Sequence, residues 1–182
     1  MATTVWEAAE TAAKKLYANY QTKDGLVDLD AICADYNIKV IHTKRLPDDT
    51  SGMIIKKGKD QPAFIYINAT ESRHRQRFTL AHEIGHFMER KLVAKDPSYS
   101  FRDKRGTNDY DLHEFFADQF AGALLMPTKQ ILKRNPELRA ESLSDPLEQS
   151  MAAIDVAKQF NVSHAAAEKR LERLVKQGDI PK

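Results

Sequence analysis

Arg77-Phe78-Thr79-Leu80-Ala81-His82-Glu83-Ile84-Gly85-His86-Phe87-Met88 is the stretch on which the reading of this chain turns. Phe78, Ala81, Gly85, Met88 and Leu92 recur at helical spacing, and Leu80, Ile84 and Phe87 line a second stripe. The pattern predicts a helix from near Thr70 or Ser72 to beyond Met88. A helix apolar on two sides is deeply packed. Only a wedge of Thr79, His82, Glu83 and His86 stays polar, and burying such groups is costly without a purpose. Residues four apart share a helix face, so both imidazoles can converge on one metal ion, as H-E-x-x-H requires. Glu83 lies one step round from His82, placed to take a proton from water at an open coordination position rather than to bind the ion. The bland alternative is two hydrogen-bonded core histidines beside a carboxylate.

Two histidines make an incomplete zinc site. The extended HExxHxxGxxH pattern fails, because Glu89 stands at its glycine position and Leu92 at its last histidine. A carboxylate from a second helix is the other option, and Glu114-Phe115-Phe116-Ala117-Asp118 offers one on an otherwise Phe- and Ala-rich segment. Charge on such a helix is expensive to bury unless paired or metal-bound. Glu114 is assigned as third ligand. Asp118, four residues on, is expected to accept the far N–H of a ligand histidine and fix its tautomer. His113 is the competing ligand, should the helix turn by one residue.

Working outward, a helix is expected from about Thr4 to Tyr20 and a shorter one from Leu29 to Tyr36. Ile38 to Ile41 reads as a strand. Met53-Ile54-Ile55 and Phe64-Ile65-Tyr66-Ile67, joined through Gly58, Asp60 and Pro62, read as a hairpin. Phe64 to Asn68 or Met53 to Lys57 reads either as an edge on which an extended substrate can add or as an ordinary core strand. Asp96 to Asn108 reads as a polar loop, and Asp109 to Met126 as a helix that Pro127 stops. The expected class is α+β, with a sheet of about three strands packed on the His82 helix and a second, ligand-bearing helix. Residues 1–135 form the catalytic domain, and 136–182 a helical extension expected to pack on it. Within that extension, Ala153 to Phe160, a turn, and a helix capped by Ser163 have a helix-turn-helix layout, with Arg170 and Arg173 projecting from the second helix.

The 182 residues carry 28 basic and 26 acidic side chains, so the formal charge is 28 − 26 = +2, too little for a strongly basic nucleic-acid coat. The lone cysteine, Cys33, makes no internal disulfide or zinc finger. No run approaches the ~18 apolar residues of a membrane span. The first residues, with Glu7 and Glu10, do not read as a signal peptide. The expectation is a cytoplasmic protein without a membrane partner.

Arg77 to His86, followed by Glu114-x-x-Ala117-Asp118-x-Phe120-Ala121-x-x-Leu124-Leu125-Met126-Pro127, resembles the ImmA/IrrE family of metallopeptidases. Ser51-Gly52-Met53-Ile54-Ile55 and Ile65-Tyr66-Ile67-Asn68 match its pattern in type and order. The resemblance spans about Gly52 to Pro127. It implies a zincin-like domain with Zn2+ held by His82, His86 and Glu114, and Glu83 as base. Its members typically cut helix-turn-helix repressors inside bacteria, in mobile elements or stress responses, and some pair with a repressor in a toxin–antitoxin-like module. Asp118 stands where members often carry Asn, which makes the surroundings of the site more anionic. Tyr99, Tyr110 and His113 are candidates to stabilise the oxyanion, and the sequence does not choose among them. The rival function is a DNA-binding regulator or toxin–antitoxin component with a non-catalytic metal site. Structural zinc sites are normally closed by four Cys or His ligands, which favours catalysis.

Overall fold

The computed structural model describes residues 4–58, 60–93, 99–104, 112–139, 143 and 145–181. Two compact units emerge, Met1–Leu124 and Leu125–Lys182. In the first, α1 (Val5–Tyr20) opens with a capping box, in which Thr4 and Glu7 satisfy each other's backbone amides. α2 (Leu29–Asp35) is capped by Asp28 and buries Ile32 and Cys33. Burial pushes the Cys33 thiol up to about 12. Asn37, at φ 53°, takes the left-handed conformation that Asn tolerates, and turns the chain into the sheet.

The sheet comprises β1 (Ile38–Thr43), β2 (Thr50–Lys56), β3 (Ala63–Asn68) and β4 (Tyr99–Lys104), in the order β1-β3-β2-β4. The expected hairpin is there: β2 and β3 are antiparallel, with Ile54 opposite Ile65. β1 runs parallel to β3. α3 (Arg73–Val93) packs across β2 and β3. Ile54, Ile65 and Ile67 of the sheet, and Ala81 and Ile84 of α3, are fully buried. Each such isoleucine stabilises the layer by roughly 1.5–3 kcal/mol. The class is therefore α+β as expected.

Two expectations change. The stretch read as a loop contains β4, which pairs with β2. β2 and β3 are consequently flanked on both sides, so neither offers the free edge the sequence suggested; β1 and β4 are the outer strands among those described.

α4 (Leu112–Leu125) carries the second part of the site. The second unit contains α5 (Thr128–Arg134), a 3-10 turn (Pro136–Arg139), α6 (Pro146–Phe160) and α7 (His164–Gln177). The helix-turn-helix layout holds locally. α6 ends at Asn161 in the left-handed region, and Ser163 caps α7 by accepting from the Ala166 amide. Asn135 and Gln159 exchange amide hydrogen bonds of 3.0 and 2.9 Å, which ties the turn after α5 to α6. Arg170 departs from expectation. It does not project but is 2% exposed, donating from Nε to the Met126 carbonyl and from Nη2 to Thr128 Oγ1.

Candidate metal centre

The polar wedge of α3 is buried as a set: Thr79, Glu83 and His86 have no exposed surface, and His82 has 3%. It meets α4 through four pairings that run in opposite order along the two helices. His82 Nδ1–H donates to Asp118 Oδ1 at 3.0 Å. Gly85 faces Ala117, where a Cβ would come within 3.0 Å of the Ala117 Cα and 3.1 Å of the Phe120 ring. His86 Nε2 lies 3.3 Å from Glu114 Oε1. His113 Nδ1–H donates to Glu89 Oε1 at 2.8 Å. Only a residue without a side chain at position 85 lets the backbones approach this closely. That approach brings the carboxylates of α4 to the imidazoles.

The centre itself is small. His82 Nε2 and His86 Nε2 are 3.1 Å apart, and Glu114 reaches each of them at 3.3 Å. One ligand atom from each of the three lies within 4.8 Å of the others. Two nitrogens held at ~2.0–2.1 Å from a tetrahedral ion are separated by about 3.3 Å. Because a carboxylate only accepts, Asp118 keeps a proton on His82 Nδ1 and turns Nε2 toward His86 and Glu114, where it offers a lone pair once its own proton is lost. Two imidazoles and the carboxylates of Glu83, Glu114 and Asp118 crowd one partly closed space, a donor set that calls for a cation. The residues fit a divalent metal.

Titration follows this crowding. Burial lowers the His82 pKa most strongly of any single cause, yet hydrogen bonds to Asp118 and Glu114 and the charge of Glu83 outweigh it, and the net shift is well upward. His86 is lowered, first by burial, despite Glu114 beside it. Burial alone would raise Glu114, but its hydrogen bonds to both histidines hold it below the usual carboxylate range. Glu83 stands outside the three-donor group, against β2. A Cβ on Gly52 would sit 3.1 Å from Glu83 Oε1 and 3.1 Å from the Tyr66 carbonyl, and would collide with Thr79. Gly52 thus leaves the space that the Glu83 carboxylate occupies.

Of the residues singled out by sequence, His82, His86 and Glu114 come together, with Asp118 behind His82 and Glu83 alongside. His113 points to Glu89 rather than into the group, so Glu114 is the α4 residue that meets the histidines. Tyr110 lies outside the described residues, and Tyr99 falls in β4. Glu89, 7% exposed, is a participant the sequence reading missed. The signal that could have found it is its spacing, three residues after His86 and therefore on the same helix face.

A His-His-Glu group on two facing helices, with a further glutamate beside it, defines a metallopeptidase-like domain. The family model of the IrrE N-terminal-like domain, Peptidase_M78, matches residues 33–172, and the chain belongs to that family. Among solved structures, a Mycobacterium tuberculosis transcriptional regulator shares the fold. Its TM-score is 0.58 at 16% identity, over 92% of this chain and 47% of that one. The chain thus spans about half the length of that protein. No curated protein matches it. Among the described residues, no helix is long and apolar enough to cross a membrane.

Proposed function

We propose that this protein is a zinc-dependent endopeptidase of the cytoplasm that cuts a protein partner, a helix-turn-helix repressor or antitoxin. The observation that carries the reading is the convergence of His82 Nε2, His86 Nε2 and Glu114 within 4.8 Å, on the helix that also bears the buried Glu83. Zinc bound by these three residues supplies Lewis acidity, bringing the pKa of water near 7 and polarising a carbonyl. Glu83 takes the proton of the attacking water and passes it to the leaving nitrogen. Asp118 keeps His82 in the tautomer that presents Nε2 to the metal. Gly52 leaves Glu83 its place. Family membership is what supports this choice of partner class.

Residues 136–182 then serve docking rather than DNA reading. Arg170 is occupied by the Met126 carbonyl and Thr128, and exposed Lys176 pairs with Glu172 at 2.7 Å, so two of the four cations of α7 are already engaged.

The test is incubation of the zinc-loaded protein with helix-turn-helix repressors, beginning with any that a neighbouring reading frame encodes, with product followed by mass spectrometry. Glu83→Gln is expected to lower cleavage by ~100-fold or more while zinc content stays at the parent level. Cleavage by Glu83→Gln at the parent rate would overturn the mechanism.

A further inference from the structure

Glu114, the carboxylate of the candidate metal centre, stands on the turn of α4 that apolar packing supports least. The helix starts at Leu112, which is 67% exposed, and His113, Glu114 and Phe115 are only partly covered. Deep burial begins at Phe116 and Ala117 and continues from Gln119 to Leu125. The first turn of a helix also leaves its amides without intrahelical partners, and loosely covered segments open at least cost. Polar contacts must therefore hold the turn that bears the ligand.

Glu89 supplies one. α3 is buried without interruption from Thr79 to Glu89, so this end of it is firmly packed. Glu89 follows His86 by three residues and His82 by seven, on the same face. Its Oε1 accepts from His113 Nδ1–H at 2.8 Å. Its Oε2 is buried with no hydrogen-bond partner among the described residues. An interior carboxylate bonded through one oxygen is costly, and a leucine in its place would avoid that cost. What the acid adds is a strong link to α4. The donor is the residue just before Glu114, so the link falls on the turn that burial leaves loose. With Asp118 on His82 one turn further along, it brackets the ligand.

We infer that Glu89 is a positioning residue: it grips His113 and so holds the first turn of α4 where Glu114 faces the two histidines before any ion is bound. The inference rests on the proposed metal centre and is independent of peptidase activity. A ligand already in place surrenders less freedom on binding, and that difference appears as affinity. The link needs a donor at position 113 and an acceptor at position 89. Asparagine can stand in for the first, since its amide nitrogen is as many bonds from Cα as imidazole Nδ1, and glutamine for the second. Glutamine also removes the Glu89 charge, which is felt at His86. It thereby separates the link from attraction of a cation by charge alone.

The full-length protein, freed of metal and titrated with Zn2+ against a chromophoric chelator, tests this, alongside a urea melt of each metal-free variant. Glu89→Leu and His113→Ala are each expected to weaken zinc binding by ~tenfold, about 1.4 kcal/mol. The double variant should lose no more than Glu89→Leu alone, since either change breaks the same link. Glu89→Gln and His113→Asn should stay within ~threefold of the parent. A contact that only stabilised the fold would lower the urea midpoint without changing the zinc affinity of the folded protein. Parent-like affinity in both Glu89→Leu and His113→Ala therefore overturns the inference while leaving the metal centre intact. So do losses that add in the double variant, a loss in Glu89→Gln equal to that in Glu89→Leu, or a loss in His113→Asn equal to that in His113→Ala. If the parent itself fails to bind zinc, the metal centre falls, and the inference with it.

Discussion

Replacing Gly85 by alanine sets two effects of opposite sign against each other. In a helix interior the change is worth ~1 kcal/mol in favour of folding. Here, however, the new Cβ would lie 3.0 Å from the Ala117 Cα and 3.2 Å from its carbonyl oxygen, both backbone atoms that cannot rotate away. Carbon atoms in contact sit ~3.5–4.0 Å apart, so α4 must retreat by about 0.5–1 Å. Overpacking of that size costs ~1–3 kcal/mol, which leaves the metal-free protein less stable by ~0–2 kcal/mol. The metal feels it more. Ala117 is flanked on its helix by Glu114 and Asp118, and ligand distances tolerate only about ±0.2 Å. Zinc affinity should therefore fall by ~10–100-fold, while a urea melt of the metal-free protein moves little. Competition against a chromophoric chelator reads the first quantity. Zinc affinity equal to the parent's in Gly85→Ala would refute the claim that close helix approach delivers the third ligand.

Three further outcomes are expected. Glu114→Ala should lose zinc affinity by more than ~100-fold and His113→Ala far less, by metal analysis after dialysis; equal losses would remove Glu114 from its assigned place. Zinc affinity should rise with pH. His82, raised in the metal-free protein, must shed its proton to bind, so affinity climbs by ~tenfold per pH unit below its pKa and levels off above it, whereas lowered His86 and Glu114 add no slope near neutrality. The same chelator competition across pH 6–8 reads it, and a flat profile would contradict the proton held by Asp118 and Glu114. Arg170→Met should destabilise the chain by ~2–3 kcal/mol, since it strands the Met126 carbonyl, while Lys169→Met on the exposed side stays within ~0.5 kcal/mol. Equal denaturant midpoints would return Arg170 to the surface.

What could be read from the sequence was what repeats. The double apolar stripe of α3 and the alternating hydrophobics of β2 and β3 are set by period, and both elements lie where the periods place them. β4 escaped because a strand that is outermost, as β4 is among the described strands, can be polar, and Tyr-Ser-Phe-Arg-Asp-Lys contains no run of apolar residues to signal a strand. Arg170 was misplaced for a related reason. Its burial depends on the Met126 carbonyl and Thr128, which lie 44 and 42 residues back along the chain, and no local pattern carries that information. At the metal centre, spacing placed His82, Glu83 and His86 on one helix. The choice between His113 and Glu114 depended on how α4 is rotated, and Gly85 sets that through a contact no single helix contains. Glu89 went unnoticed because an acid is unremarkable until its burial is known.

Cys33 has a practical consequence. A thiol this deeply covered holds its proton at any physiological pH and is inert toward sulfhydryl reagents while α2 stays in place. As the chain's one cysteine, it becomes a clock for transient opening of that helix: the rate at which a colourless disulfide reagent turns yellow counts the excursions, with no label to introduce and no second thiol to confuse the signal.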